Sequence, residues 1–309
     1  MADKPAAEVH IDADLVRSLL AAQCPDLSGL DVSLVSEGWD NATWRLGRSL
    51  AVRLPRRATS SELALHEQRC LPILAAVVDV ALPVPVHCGV PGPGYPWPWS
   101  VVPWFDGVPA ATVPLASRGA AAADLARFLS QLHQPAPADA PRNPFRGVEL
   151  GARSADVMAR LDAPGFPRAT EARTLWTELS ASSPWDGPPT WIHGDLHPFN
   201  ILLDAAGEGR RPALRAVIDF GDVAAGDPAT DLATAWLTFG AADRRVFAAT
   251  VTQRCATDAA TWRRARAWAL LMATAMLAHS DDDPPFGHLG RTALDQVLDD
   301  DGHSSVTTR

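Results

Sequence analysis

The sequence predicts an α+β fold in two lobes, a small β-rich N-terminal lobe and a larger, mainly helical C-terminal lobe. Three short runs rich in Val, Leu and Trp, Val32–Ser36, Ala42–Leu46 and Leu50–Leu54, are separated by the turn-forming stretches Glu37–Asn41 and Gly47–Ser49. A Pro/Gly-rich tract runs from Leu82 to Pro98 and leads into a connector near residue 103. From residue 104 onward, apolar residues recur mostly at helical spacing. The expected division is therefore residues 1–103 and residues 104–309, with 299–309 as a disordered tail.

Each element has a local cause. A first helix is expected from Ile11 or Asp12 to Cys24, because Leu15, Leu19 and Leu20 share one face and Pro25 stops it. The three strands that follow are close enough for an antiparallel meander. Ser60–Leu71 has helical periodicity, and two short extended runs follow around Val84–Cys88 and Trp99–Pro103. In the second lobe, helices are expected over Ala120–His133, Arg153–Asp162 and Thr170–Ser180, with Gln134–Pro144 as a loop. Short strands are expected at Thr190–Ile192, Ile201–Leu203 and Leu214–Ile218. The last third reads as helices Leu232–Phe239, Ala242–Thr252, Thr261–Ala278 and Gly290–Leu298.

Composition excludes several function classes. The chain has 309 residues and a formal net charge of −9, which argues against general nucleic-acid or anionic-membrane binding and suits a cationic small molecule. Lys4 is the one lysine beside 26 arginines, so a Gly-Lys-Ser/Thr phosphate loop and a Schiff-base lysine in the core are both impossible. Any phosphate must be met by arginine, backbone N–H groups or a metal ion. Cys24, Cys70, Cys88 and Cys255 lack zinc or thioredoxin spacing and read as buried free thiols. No signal-peptide core or membrane span is evident, so a cytoplasmic, soluble protein is expected.

The chemistry concentrates in Trp191–Leu203, where a short apolar strand enters a polar loop and another leaves it. The loop presents Asp195 and, five residues later, Asn200; the next strand ends in Asp219-Phe220-Gly221-Asp222. Two carboxylates and an amide at strand–loop junctions form the inventory of phosphoryl transfer. One carboxylate orients the attacking hydroxyl, while the other and the amide oxygen hold Mg²⁺ on the nucleotide phosphates.

His193-Gly194-Asp195 with Asn200, followed by Ile218-Asp219-Phe220-Gly221, resembles the signature of the aminoglycoside phosphotransferase family, which shares the protein-kinase-like fold. The likeness extends through Glu37–Asn41, Val52–Arg56, Trp97–Val101 and Gly226–Leu232, over roughly residues 12 to 298. The resemblance implies a kinase using ATP or GTP and Mg²⁺, with an aminoglycoside-like antibiotic as the leading acceptor. Macrolide kinases and metabolite kinases of the choline or homoserine type share the signature. A nucleotide-binding protein without catalysis is the reading from another class. The resemblance makes Asp195 the catalytic base and Asn200 and Asp219 the metal ligands.

The remaining candidates depart from the broad kinase pattern or rest on position. Arg53 stands on the third strand where kinases carry lysine, with Glu67 on the following helix as its expected partner. Arg56 and Arg57 are expected to be solvated. The phosphate-covering turn holds one glycine, Gly38, followed by Trp39, which is either a lid or a packing residue. By position in the resemblance, the Pro103 carbonyl and the Phe105 N–H would hold the nucleotide base. His193 is expected to support its loop, and His197 either to lie in solvent or to touch phosphate. Asp231 is expected to brace the catalytic loop through backbone amides. Trp262, Trp268, Met272 and Met276 are core positions or an apolar acceptor wall. The runs Asp281–Asp283 and Asp299–Asp301 read as solvated faces.

Overall fold

A computed structural model describes residues 4–204, 212–280 and 282–300. The chain divides into two compact units, and the division is not a single cut. The N-terminal unit comprises Lys4–Asp106 together with Val217–Gly221; the C-terminal unit contains Gly107–Ala216 and the chain from Asp222 onward.

In the N-terminal unit, helix α1 (Ala13–Gln23) starts at Asp12, whose carboxylate accepts the Leu15 N–H at 2.8 Å. Strands β1 (Val32–Glu37), β2 (Asn41–Leu46) and β3 (Leu50–Pro55) form the meander. Helix α2 (Ala58–Ala75) follows, then β4 (His87–Gly89) and β5 (Trp99–Pro103). The five strands make an antiparallel sheet in the order β1-β2-β3-β5-β4. Val16, Leu19 and Leu20 of α1 join Trp44, Leu46, Val52, Leu54, Tyr95, Trp99 and Val101 in one buried cluster. Helix α2 continues four residues past the expected Leu71, through Pro72, because Cys70, Leu71 and Leu74 all bury side chains. Burial there outweighs the lost amide donor.

The C-terminal unit begins with β6 (Val108–Pro109), which the sequence does not announce. Helices α3 (Ala122–Leu132), α4 (Ser154–Leu161) and α5 (Ala169–Ser180) follow. Strands β7 (Thr190–Ile192), β8 (Ile201–Leu203), β9 (Leu214–Val217) and β10 (Ala224–Gly226) carry the polar loops between them. β6, β8 and β9 form one small sheet, and β10 pairs antiparallel with β7. Helices α6 (Ala229–Leu232), α7 (Thr234–Thr238), α8 (Ala241–Cys255), α9 (Ala259–Ala278) and α10 (Pro284–Leu298) complete the unit. Helix α9 packs against α4, α5, α6, α7 and α10, and Trp268, Met272 and Met276 are core residues on it. Trp262 packs edge-on to Trp236 and Phe247.

Several expectations change. Helix α10 starts at Pro284 rather than Gly290, capped by Asp283, which accepts the Phe286 N–H. Asp281 and residues 301–309 lie outside the described residues. Asp299 and Asp300 are not a loose face: Asp299 pairs with Arg168 at 2.7 Å, and Asp300 accepts the Trp236 indole N–H at 2.6 Å. Cys88 and Cys255 are exposed, against the expectation that all four thiols are buried. Cys88 faces out of an edge strand, and Cys255 ends a surface helix.

One contact makes a direct test of the N-terminal sheet. A Cβ on Gly89 would sit 2.1 Å from the fully buried Trp99 ring on the paired strand. Gly89→Ala is expected to lower unfolding free energy by about 1–3 kcal/mol, measured by urea denaturation; an unchanged midpoint would contradict this packing.

Candidate active site

The phosphate-handling candidates of the N-terminal unit lie on three segments. Arg53 on β3 donates from Nη1 to Glu67 Oε1 on α2 at 2.9 Å, and from Nη2 to Asp219 Oδ1 at 2.7 Å. The same Glu67 oxygen accepts the Phe220 N–H at 2.9 Å. Burial works against the Arg53 charge, but the Glu67 and Asp219 carboxylates outweigh it and raise its pKa. Burial pushes the Glu67 carboxyl up, an effect that Arg53 and the Phe220 N–H oppose. Asp219 adopts a left-handed backbone with φ 63°, unusual for a residue with a Cβ. Nothing local in the sequence pairs Arg53 with Asp219, because 166 residues separate the partners.

The β1–β2 turn is clamped rather than loose. Gly38 N–H bonds to the Asn41 carbonyl at 2.8 Å, and the Gly38 carbonyl accepts from Arg56 Nη1 at 2.9 Å. Asp40 Oδ1 accepts from Arg57 at 3.1 Å and from the Ser60 hydroxyl at 2.6 Å. Arg56 and Arg57 are therefore not solvated: Arg56 is buried, and both spend their guanidinium groups on this turn. Trp39 at its tip is 45% exposed. In β5, the Val101 carbonyl accepts from Val86, so the Pro103 carbonyl, two residues on, faces away from β3. The Phe105 N–H donates to no described residue.

The C-terminal unit holds the loop between β7 and β8. Asp231, fully buried on α6, accepts the His193 N–H at 2.8 Å, the Gly194 N–H at 2.9 Å and the His133 ring at 3.0 Å. Gly194 has φ 87°, and a Cβ there would lie 2.5 Å from the Asp222 carbonyl, so only glycine fits. The loop is thus fixed on both sides of Asp195. His193 Nδ1 accepts the Asp195 N–H at 3.2 Å, and Asn200 Nδ2 donates to the Asp195 carbonyl at 2.9 Å.

The Asp195 carboxylate is 28% exposed and is gripped from two sides. Arg146 Nη2 donates to Oδ1 at 3.0 Å, and His197 Nε2 lies 3.2 Å from Oδ2. Burial alone would raise the Asp195 pKa, but His197 and Arg146 outweigh it and hold the carboxyl well below its usual range. His197 is buried and bonded to Asp195, so the solvated reading is corrected. Its ring meets Phe199 at 6.0 Å and Phe286 at 5.6 Å, both edge-on. Arg146 also reaches Asp222 at 3.5 Å, and Asn143 fixes Asp222 at 2.7 Å. No sequence signal marks Arg146: it lies in an irregular Pro/Gly-rich stretch 49 residues from its partner.

Asn200 of the C-terminal unit and Asp219 of the N-terminal unit each offer an oxygen of the kind a hard divalent cation takes. Asn200 spends its NH₂ on the Asp195 carbonyl, which leaves its amide oxygen as a ligand. The Asp219 side chain is 51% exposed, with only Oδ1 bonded to Arg53. Oxygen donors of this kind, completed by phosphate and water, are what Mg²⁺ takes. Among the described residues, no group of three or more His, Cys, Asp or Glu side chains is gathered as a metal site.

The chain matches the family described as APH, phosphotransferase enzyme family, over residues 31–268. It belongs to that family. Its fold is similar to that of the GDP complex of wild-type aminoglycoside 2'-phosphotransferase-IIIa, at 20% identity over 93% of this chain and 99% of that one, TM-score 0.67. It is also similar to the GDP and kanamycin complex of APH(2")-IIia, at 21% identity over 92% and 98% of the two chains, TM-score 0.66. A third likeness is macrolide 2'-phosphotransferase MphH from Brachybacterium faecium, apoenzyme, at 25% identity over 91% and 98%, TM-score 0.60. The fold is accordingly the kinase-like α+β fold of these phosphotransferases. Among the described residues, no helix is long and apolar enough to cross a membrane.

The Arg53 fork is testable apart from turnover. Lysine keeps the charge but cannot hold Glu67 and Asp219 in one plane. If Arg53 meets the nucleotide phosphates, Arg53→Lys is expected to weaken nucleotide binding by about 10-fold or more, read by calorimetric titration, the loss of roughly one charge-assisted hydrogen bond. Affinity equal to the parent would mean that charge alone matters there.

Proposed function

We propose that this chain transfers the γ-phosphoryl group of ATP or GTP to a hydroxyl of a small-molecule acceptor. The observation that carries the proposal is Asp195, a partly exposed carboxylate kept ionised on a loop fixed by Asp231 and Gly194. The acceptor hydroxyl donates a hydrogen bond to Asp195, and its oxygen attacks the γ-phosphorus. The new P–O bond forms as the bond to the β–γ bridging oxygen breaks, and the nucleoside diphosphate leaves. A carboxylate with a depressed pKa is a weak base. Asp195 therefore chiefly orients the hydroxyl and takes its proton late, when the new bond has made that proton acidic.

In the N-terminal unit, Arg53 meets the phosphates, with Glu67 keeping it charged and aimed. Gly38 and Trp39 cover the phosphates from the clamped turn, and Pro103 and Phe105 offer a carbonyl and an N–H to the base. Asn200 and Asp219 would hold Mg²⁺, which when bound would neutralise charge on the nucleotide phosphates. His197 supports Asp195.

The −9 net charge and the aminoglycoside phosphotransferases among the fold's likenesses favour an aminoglycoside-like acceptor. A macrolide-like acceptor is favoured by a different observation: Phe199 and Phe286, both part-exposed, lie 6.1 Å apart beside His197 and offer an apolar face next to Asp195.

Asp195→Asn keeps shape and removes the charge. It is expected to lower kcat by ~10²-fold or more while nucleotide affinity changes little. Release of nucleoside diphosphate should be followed with kanamycin, erythromycin and small amino alcohols as acceptors. Near-normal turnover by the folded variant would remove Asp195 from the reaction.

A further inference from the structure

Residues 4–8 precede every helix and strand of the N-terminal unit, yet they are tied to partners 33–51 residues further on. The Lys4 ammonium donates to the carbonyl of Glu37, the last residue of β1 and the neighbour of Gly38. The Pro5 carbonyl accepts from Arg56 Nη1 at 3.3 Å. The Glu8 N–H donates to the Arg56 carbonyl at 2.9 Å, and Glu8 Oε2 accepts the N–H of Ala58, the first residue of α2, at 3.0 Å.

Arg56 stands between this segment and the β1–β2 turn. On the turn side, its N–H bonds to the Asp40 carbonyl at 2.8 Å and its Nη1 to the Gly38 carbonyl at 2.9 Å. On the other side it meets Pro5 and Glu8. With both sides occupied it is 7% exposed. A bond from a guanidinium to a carbonyl is stronger when shielded than when water competes for both groups. Stripped of residues 4–8, Arg56 would regain that competitor at its bond to Gly38. Helix α2 depends on the same segment. Its N-cap residue, Arg57, makes no side-chain capping bond, and Glu8 supplies the carboxylate at the first turn instead. That helix carries Glu67, which aims Arg53.

We propose that residues 4–8 are a positioning strap for the nucleotide, holding the β1–β2 turn through Arg56 and helix α2 through Ala58 in the arrangement that meets the phosphates. The inference rests on the phosphotransfer reading, in which Gly38, Trp39 and Arg53 face those phosphates. Glu8 and Arg56 are positioning residues: they act through the turn and the helix. Without the strap, the competent arrangement is a smaller fraction of the population, and apparent nucleotide affinity falls by that fraction. Saturating nucleotide restores the arrangement, so the maximal rate is kept.

Two variants test this against the full chain. One begins at Val9 behind an initiator methionine; it keeps Val9, which packs against the core cluster, and Asp12, which caps α1. The other is Glu8→Ala, at an exposed position. Calorimetric titration with ATP and with GTP, each with Mg²⁺, gives the affinities. The shortened variant should bind the parent's preferred nucleotide about 10-fold more weakly, the effect of one hydrogen bond to a charged group. Glu8→Ala should fall between the two. With kanamycin or erythromycin, whichever the parent phosphorylates, the nucleotide KM should rise in step, while kcat and the acceptor KM stay within about 2-fold of the parent. Without nucleotide, the Gly38 amide should exchange about 10-fold faster in the shortened variant, with the amides of β3 as reference. Parent-like affinity in a shortened variant that still melts cooperatively overturns the strap and leaves the phosphotransfer reading standing. So does a fall in kcat at unchanged nucleotide KM. If the shortened variant does not fold, Glu8→Ala decides, and parent-like affinity there overturns the strap. A parent that binds neither nucleotide overturns the phosphotransfer reading, and the strap's role falls with it.

Discussion

One carboxylate oxygen, Oε1 of Glu67, organises the N-terminal unit. Glu67 is 5% exposed, and a buried carboxylate is tolerated only when it is paired. Its partners are Arg53 at 2.9 Å and the Phe220 N–H at 2.9 Å, so it ties β3, α2 and the segment Val217–Gly221 together. The other arm of Arg53 then falls on Asp219 at 2.7 Å. A return of the chain from more than 150 residues away is thereby fixed beside the sheet, and the groups proposed to meet phosphate are set by that single anchor.

The C-terminal unit uses a different device for the same end. Asp231, with no exposed surface, takes two backbone N–H groups of the loop that carries Asp195. Gly194 lets that loop approach Asp222 closely. The result is a rigid backbone with one partly exposed carboxylate, whose ionisation is protected by Arg146 and His197. On the proposed reading, a carboxylate that orients a hydroxyl needs its surroundings fixed before the substrate arrives, since orientation supplies much of the rate in phosphoryl transfer.

Local signals made much of this legible. The strands Thr190–Ile192, Ile201–Leu203 and Trp99–Pro103 match their expected bounds, because Pro, Gly and polar residues punctuate short apolar runs. The Arg53–Glu67 pair was legible through the resemblance, which puts a basic residue on this strand and its carboxylate partner on the helix after it. Strands β6 and β10 were not, since Val108–Pro109 and Ala224–Gly226 have no strand pattern and are held by pairing with distant strands. Arg56 and Arg57 look like ordinary surface charges after a proline, and only the fold shows the carbonyl and carboxylate they serve. Arg146 was silent for the same reason: nothing in a loop says which distant carboxylate it will meet.

The central claim is that Glu67 holds the segment carrying Asp219 in place. Amide hydrogen exchange at Phe220 reads this directly, because the Glu67 carboxylate is the acceptor of that N–H. The full chain and its Glu67→Ala variant should be compared in the same buffer, with the amides of β2 and β3 as internal references for global stability. The account predicts slow exchange at Phe220 in the parent and at least about 10-fold faster exchange in the variant, the loss of one hydrogen bond to a charged group, with the reference amides far less affected. Equal exchange at Phe220 in the two proteins would contradict it.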